Sequence, residues 1–187
     1  MASQAAQRAG ARIMADNEVR EWIRFACECN GVDGLEHKIR IEWSNRLTRS
    51  MGNCGRDRWS DICGRSWVVK LSVPLFSRAT TEERYNTIIH EVCHAIDDYL
   101  NGRMDPLMEG HGPKWQKVMR ACGITPTRYH NVDTKGLRNQ HEYECPTCGK
   151  LFKLSTRLHN QIRRGRNRIC LKCRETIKYT GRSGKGI

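Results

Sequence analysis

With 187 residues and 38% hydrophobic content, the chain has room for one modest domain and an appendage, and no stretch approaches the ~20 apolar residues of a membrane span. The formal net charge of +13 is unevenly spread: from Thr134 onward 14 Lys and Arg face 3 acids, whereas residues 1–133 hold 19 against 17. The excess at one end calls for an anionic partner, nucleic acid foremost.

Residues 1–15 are Ala-rich, with Arg8 and Arg12 and no acid before Asp16. They read as a flexible, frayed helical lead-in, not as a targeting peptide. Asp16 or Asn17 caps a first helix with Val19, Trp22, Ile23 and Ala26 on its inner face, ending at Asn30-Gly31. Lys38 to Trp43 and Trp67 to Val73 alternate as half-buried strands do, with Pro74 closing the second.

Thr80 to Leu100 reads as a well-marked helix. Thr80 and Glu83 fit a capping box, Asn101-Gly102 supplies the stop, and Tyr85, Ile88, Ile89, Val92, Ile96, Tyr99 and Leu100 recur as one buried stripe. His90-Glu91-Val92-Cys93-His94 lies on this helix, with both imidazoles outside the stripe. Four residues apart, they stand one turn apart on the same side and reach one metal ion. Glu91 is placed to act as general base on water activated by zinc.

A catalytic zinc takes three protein ligands and keeps one open position. Leu100 excludes a third His six residues after the second. His111, flanked by Gly110 and Gly112 and followed by Pro113 in the first turn of another helix, is the better third ligand; Glu109 is the competitor. Trp115, Val118, Met119 and Cys122 mark the buried face of that helix, and Gly123 ends it. Asp97 and Asp98 read as solvated or as supports for the ligands.

On these residues the chain resembles the SprT-like metalloprotease family. The matching elements are His90-Glu91-x-x-His94, Glu109-Gly110-His111-Gly112-Pro113-Lys114-Trp115, Gly123-Ile124-x-Pro126 and Arg128-Tyr129-His130, with a Cys-rich tail of the bacterial SprT type, over roughly residues 60–175. The loop Asn101 to Met108 departs from the pattern. The resemblance implies a zincin-like fold, zinc held by His90, His94 and His111, Glu91 as base, and DNA binding. It also suggests that Val68 to Ser72 lines the cleft and pairs with extended substrate.

In the tail, Cys145-Pro146-Thr147-Cys148 and Cys170-Leu171-Lys172-Cys173 form two Cys-x-x-Cys pairs, each able to wrap one side of a tetrahedral ion. Four thiolates close the coordination sphere, so this second zinc is structural. Ten cysteines without a secretory signal fit a reducing, intracellular compartment. Arg163, Arg164, Arg166 and Arg168 lie between the pairs and suit a phosphate backbone; Tyr143, Phe152 and Tyr179 offer stacking faces. Cys93 and Cys122 read as buried thiols, and the irregular spacing of Cys27, Cys29, Cys54 and Cys63 argues against a further metal site. His37, His130, His141 and His159 read as structural or surface residues.

The expectation is therefore an α+β, zincin-like metalloprotease domain at 16–133, a small basic zinc ribbon at 134–180 and a disordered tail at 181–187. Two zinc ions per chain, protein substrates, DNA as partner and a monomeric state complete it. The competing reading is a non-catalytic DNA-binding zinc protein that uses the protease fold as a scaffold.

Overall fold

The helix carrying the paired imidazoles is the spine of the N-terminal half. In the computed structural model, which describes residues 3–57, 66–102, 110–127 and 132–186, Thr80 and Glu83 close a reciprocal capping box at its start and Gly102 caps its end. Glu109, Cys63, the stretch 128–130 and most of the loop 101–108 lie outside the described residues.

The chain divides into two compact units, Met1–Asp133 and Thr134–Ile187. The first contains α1 (Gln4–Ile13), α2 (Asp16–Cys29), a 3-10 turn (Leu35–Lys38), β1 (Ile39–Ser44), β2 (Gly52–Arg56), β3 (Trp67–Ser72), the short α3 (Val73–Phe76), the imidazole helix α4 (Thr81–Asn101) and α5 (Pro113–Ala121). The mixed helix and sheet content makes it α+β. The sheet order is β1-β3-β2, with β1 parallel and β2 antiparallel to β3. Trp43, Trp67, Leu71, Phe76, Ile88, Ile89, Val92, Ile96 and Trp115 form its core. Arg84 ties α4 down by donating to the carbonyls of Phe76 and Ile13.

Several expectations are corrected. Residues 4–13 are no flexible lead-in: Ser3 caps α1, and Gly10 lets the helix lie directly on the Trp43 indole, where a Cβ would meet ring atoms at 2.0 Å. Ala15, not Asp16 or Asn17, is the N-cap of α2, with no side-chain cap bond. Tyr99 and Leu100 are exposed, so the buried stripe of α4 ends earlier. Their places are taken by Asp97 and Asp98, which are buried, not solvated. Asn101 donates to Asp97 at 2.8 Å. Arg56 grips Asp98 through Nε and Nη2 at 2.8 and 2.9 Å, and the Trp67 indole donates to it at 2.8 Å.

The second unit is a three-stranded antiparallel sheet, order β5-β4-β6, from β4 (Asn139–Glu144), β5 (Leu151–Ser155) and β6 (Lys178–Lys185), with α6 (Thr156–Arg163) between β5 and β6. β6 corrects the disordered tail: it pairs with β4 from Asn139↔Lys185 to Glu144↔Lys178. Among the described residues, the hydrophobic cluster of this unit has Tyr143, Cys145, Cys170 and Ile177 buried, with Phe152, Leu154, Ile162 and Cys173 partly buried against them. No helix among the described residues is long and apolar enough to cross a membrane.

Candidate metal centres

The first centre is assembled by one helix, one turn and one strand. Helical spacing sets His90 and His94 on one face of α4, and the Gly110-His111-Gly112 turn before α5 delivers the third ring. One ring nitrogen from each lies within 4.8 Å of the other two. Nε2 of His90 is 3.3 Å from Nε2 of His94 and 3.0 Å from Nε2 of His111. A tetrahedral zinc with Zn–N near 2.0–2.1 Å holds its nitrogens about 3.3 Å apart, so the three donors fit that ion. Burial, followed by the neighbouring rings, lowers the pKa of His90 to about 4 and of His94 to about 3, so both rings are neutral at neutral pH, the form able to ligate a metal.

Supporting groups that the sequence did not announce hold this geometry. A hydrogen bond to the main chain of Thr127 orients the His90 ring. Gln116 Nε2 donates to the His111 carbonyl at 3.1 Å, fixing the turn to α5. Trp115 packs against all three imidazoles, 4.7, 5.2 and 4.6 Å from His90, His94 and His111, and forms one wall of the site.

Glu91, the next residue on α4 after His90, lies with its side chain against β2. It is 8% exposed, and burial pushes its carboxyl up to about 8, opposed by a hydrogen bond from the Cys54 main chain. Gly52 lies against it: a Cβ there would come within 2.5 Å of Glu91 Cγ and 2.8 Å of Oε1. Only glycine leaves the carboxylate where it is. β2 was absent from the sequence reading because Gly-Asn-Cys-Gly-Arg has neither alternation nor β-branched residues. β3, assigned above to line the cleft and pair with substrate, is central; its main chain is already engaged by β1 and β2.

The second centre comprises Cys145, Cys148, Cys170 and Cys173, whose sulfurs all lie within 4.8 Å of one another. Cys148 and Cys170 are 3.9 Å apart, close to the roughly 3.8 Å between sulfurs on a tetrahedral zinc with Zn–S near 2.3 Å. Two similar turns present them. Gly149 donates to the Cys145 carbonyl with φ +66°, and Arg174 donates to the Cys170 carbonyl with φ +59°. The Lys150 main chain, then Cys173, lowers Cys148 to about 7, favouring the thiolate that a metal needs.

Arg163, Arg164, Arg166 and Arg168 are all exposed, at the end of α6 and in the segment after it. Tyr143 is buried and bonded to His159, so it is a core residue and no stacking platform. Phe152 is partly buried against the same cluster, and Tyr179 remains exposed. Cys54 sits near Glu91 and Asp98, whereas Cys27, Cys29, Cys93 and Cys122 gather elsewhere, among α2, α4 and the end of α5.

Comparison with known proteins agrees with the residue-level picture. The model of the SprT-like family matches residues 22–136. Protein SprT of Pseudomonas fluorescens is 32% identical over 117 residues, 61% of this chain and 69% of the relative. A second Protein SprT from that species is 35% identical over 98 residues, 51% and 57%. Protein SprT of Pseudomonas putida is 28% identical over 116 residues, 61% and 69%.

Proposed function

Because the chain belongs to the SprT-like family, we propose that it is a zinc-dependent endopeptidase with a zincin-like catalytic unit. In this reading His90, His94 and His111 hold the catalytic ion, and Glu91 is the general base. The observation that carries the reading is the convergence of three Nε2 atoms to 3.0–3.3 Å one residue from a buried, hydrogen-bonded carboxylate. Bound there, zinc supplies Lewis-acid polarisation of a peptide carbonyl and lowers the pKa of water to about 7. Glu91 takes the proton from the attacking water and returns it to the leaving amine. The Cys54 main chain and the gap at Gly52 fix its carboxylate. β2, at the sheet edge beside α4, offers its main chain to an extended substrate, giving a grip with little sequence preference.

The four-thiol centre is a structural zinc ribbon that tethers this intracellular enzyme to DNA. The four exposed arginines and the C-terminal charge excess supply phosphate contacts, and DNA-associated or DNA-crosslinked proteins are cleaved through proximity. A non-catalytic scaffold would need the imidazoles but not Glu91. The tether is tested by cleavage of a DNA-binding protein at low salt, with and without DNA. DNA should accelerate cleavage, and the gain should fade as salt rises; equal rates with and without DNA contradict it.

A further inference from the structure

β2 is a weak strand by its own composition, yet it stands against the most exacting side chain of α4. Gly52-Asn53-Cys54-Gly55-Arg56 has two glycines and no β-branched residue, and among the described residues it pairs only with β3. A Gly-rich strand paired on one side specifies its register poorly. Strand alternation puts Gly52, Cys54 and Arg56 on one face. At one end of that face Gly52 meets Glu91, where a Cβ would lie 2.5 Å from Cγ and 2.8 Å from Oε1. At the other end Arg56 donates from Nε and Nη2 to the two carboxylate oxygens of Asp98, at 2.8 and 2.9 Å. Trp67, directly opposite Arg56 on β3, donates its indole N–H to the same carboxylate at 2.8 Å. Both contacts run along α4 in the same direction. Glu91 to Asp98 spans about 10 Å of helix and Gly52 to Arg56 about 13 Å of strand, a mismatch within the reach of an arginine side chain. A slip of two residues would keep the pleat but set Cys54, which has a Cβ, where Gly52 now leaves room, and would carry Arg56 away from Asp98.

We propose that the Asp98 carboxylate, with Arg56 and Trp67, is a positioning clamp for Glu91. By tying α4 to a directly opposed pair on β2 and β3, it fixes the register of β2 so that Gly52 stands beside the general base. Asp98 acts through β2 and is a positioning residue, not a catalytic one. Glu91 is the base only on the hydrolytic reading above, on which this rests; the seating of β2 is measurable without it.

The test uses the full-length, zinc-loaded chain and two readouts. Amide hydrogen exchange reads the seating of β2: in Asp98→Asn, residues 52–56 should exchange several-fold faster while residues 39–44 of β1 keep their rate. Steady-state proteolysis reads the consequence: Asp98→Asn should lower kcat by about 10-fold at unchanged zinc content, with most of the loss in kcat and little in KM. Combined with Gly52→Ala, it should be within about twofold of the slower single variant, because both displace one carboxylate, and in a Glu91→Gln background it should cost nothing further. If Asp98→Asn does not fold, Arg56→Lys, which keeps the charge but loses the two-pronged contact, takes its place in every arm. Unchanged exchange in β2, a rise shared equally by β1, an unchanged kcat, or losses that multiply would overturn the clamp. Equal cleavage by wild type and Glu91→Gln would instead overturn the hydrolytic reading, and the exchange data would still judge the clamp on their own.

Discussion

Glu91 illustrates how a single position joins folding to chemistry. Its carboxylate is out of water, held by a main-chain hydrogen bond and given room by a missing side chain across β2. Gly52→Ala puts a methyl within 2.5 Å of Glu91 Cγ. Because the opposing atoms are the flexible end of a side chain, the carboxylate shifts while the fold survives. Displacement of a reacting group by about 1 Å costs on the order of 100-fold in rate. Gly52→Ala should therefore lower kcat by roughly 10- to 100-fold with zinc content unchanged, as measured by proteolysis and metal analysis on the same sample. A second single-residue prediction concerns Arg174, a non-glycine residue at φ +59° in the turn where its counterpart is Gly149. The left-handed region costs an L-residue about 1–2 kcal/mol, part of which glycine forfeits as unfolded-chain entropy. Arg174→Gly should stabilise the C-terminal unit by about 0.5–1 kcal/mol, read as a higher urea midpoint at fixed zinc.

At the scale of elements, α4 is located by its two ends. Its start is self-contained, a capping box readable from Thr80 and Glu83. Its end is held by Asp98, which receives Arg56 from β2 and Trp67 from β3. Removing the carboxylate leaves a partly buried guanidinium and a buried indole N–H without it, so Asp98→Ala should cost about 3 kcal/mol in unfolding free energy. Asp98→Asn should cost less, since its amide oxygen still accepts one bond. Denaturant unfolding of the two variants checks the order. The same contrast explains what the sequence revealed. α4, the imidazole spacing and the two Cys-x-x-Cys pairs are local patterns, set by the helical repeat or by a single turn. α1, β2 and β6 depend on partners far along the chain: Gly10 on Trp43, Gly52 on Glu91, and Lys178 to Lys185 on β4. No local periodicity announces them. Trp115 was legible as a buried position, but its contact with three imidazoles is a fact of tertiary packing.

On the scale of the whole molecule, two compact units carry two different donor sets, three imidazoles in one and four thiols in the other. The N-terminal unit has a core of its own, built around Trp43, Trp67, Trp115 and the apolar residues of α4. Among the described residues the hydrophobic cluster of the C-terminal unit has four buried members, two of them cysteines of the four-thiol group, so an ion held there would contribute much of the unit's folding free energy. It also carries nearly all of the net positive charge, which separates a strongly basic unit from the one that holds the imidazoles. The most direct measurement compares wild type with Glu91→Gln for zinc content and for cleavage of a denatured test protein. The account predicts two zinc ions per chain in both, with proteolysis reduced by roughly 100- to 10,000-fold in the variant, the range for loss of a general base. Equal cleavage by the two proteins at equal zinc content would contradict it.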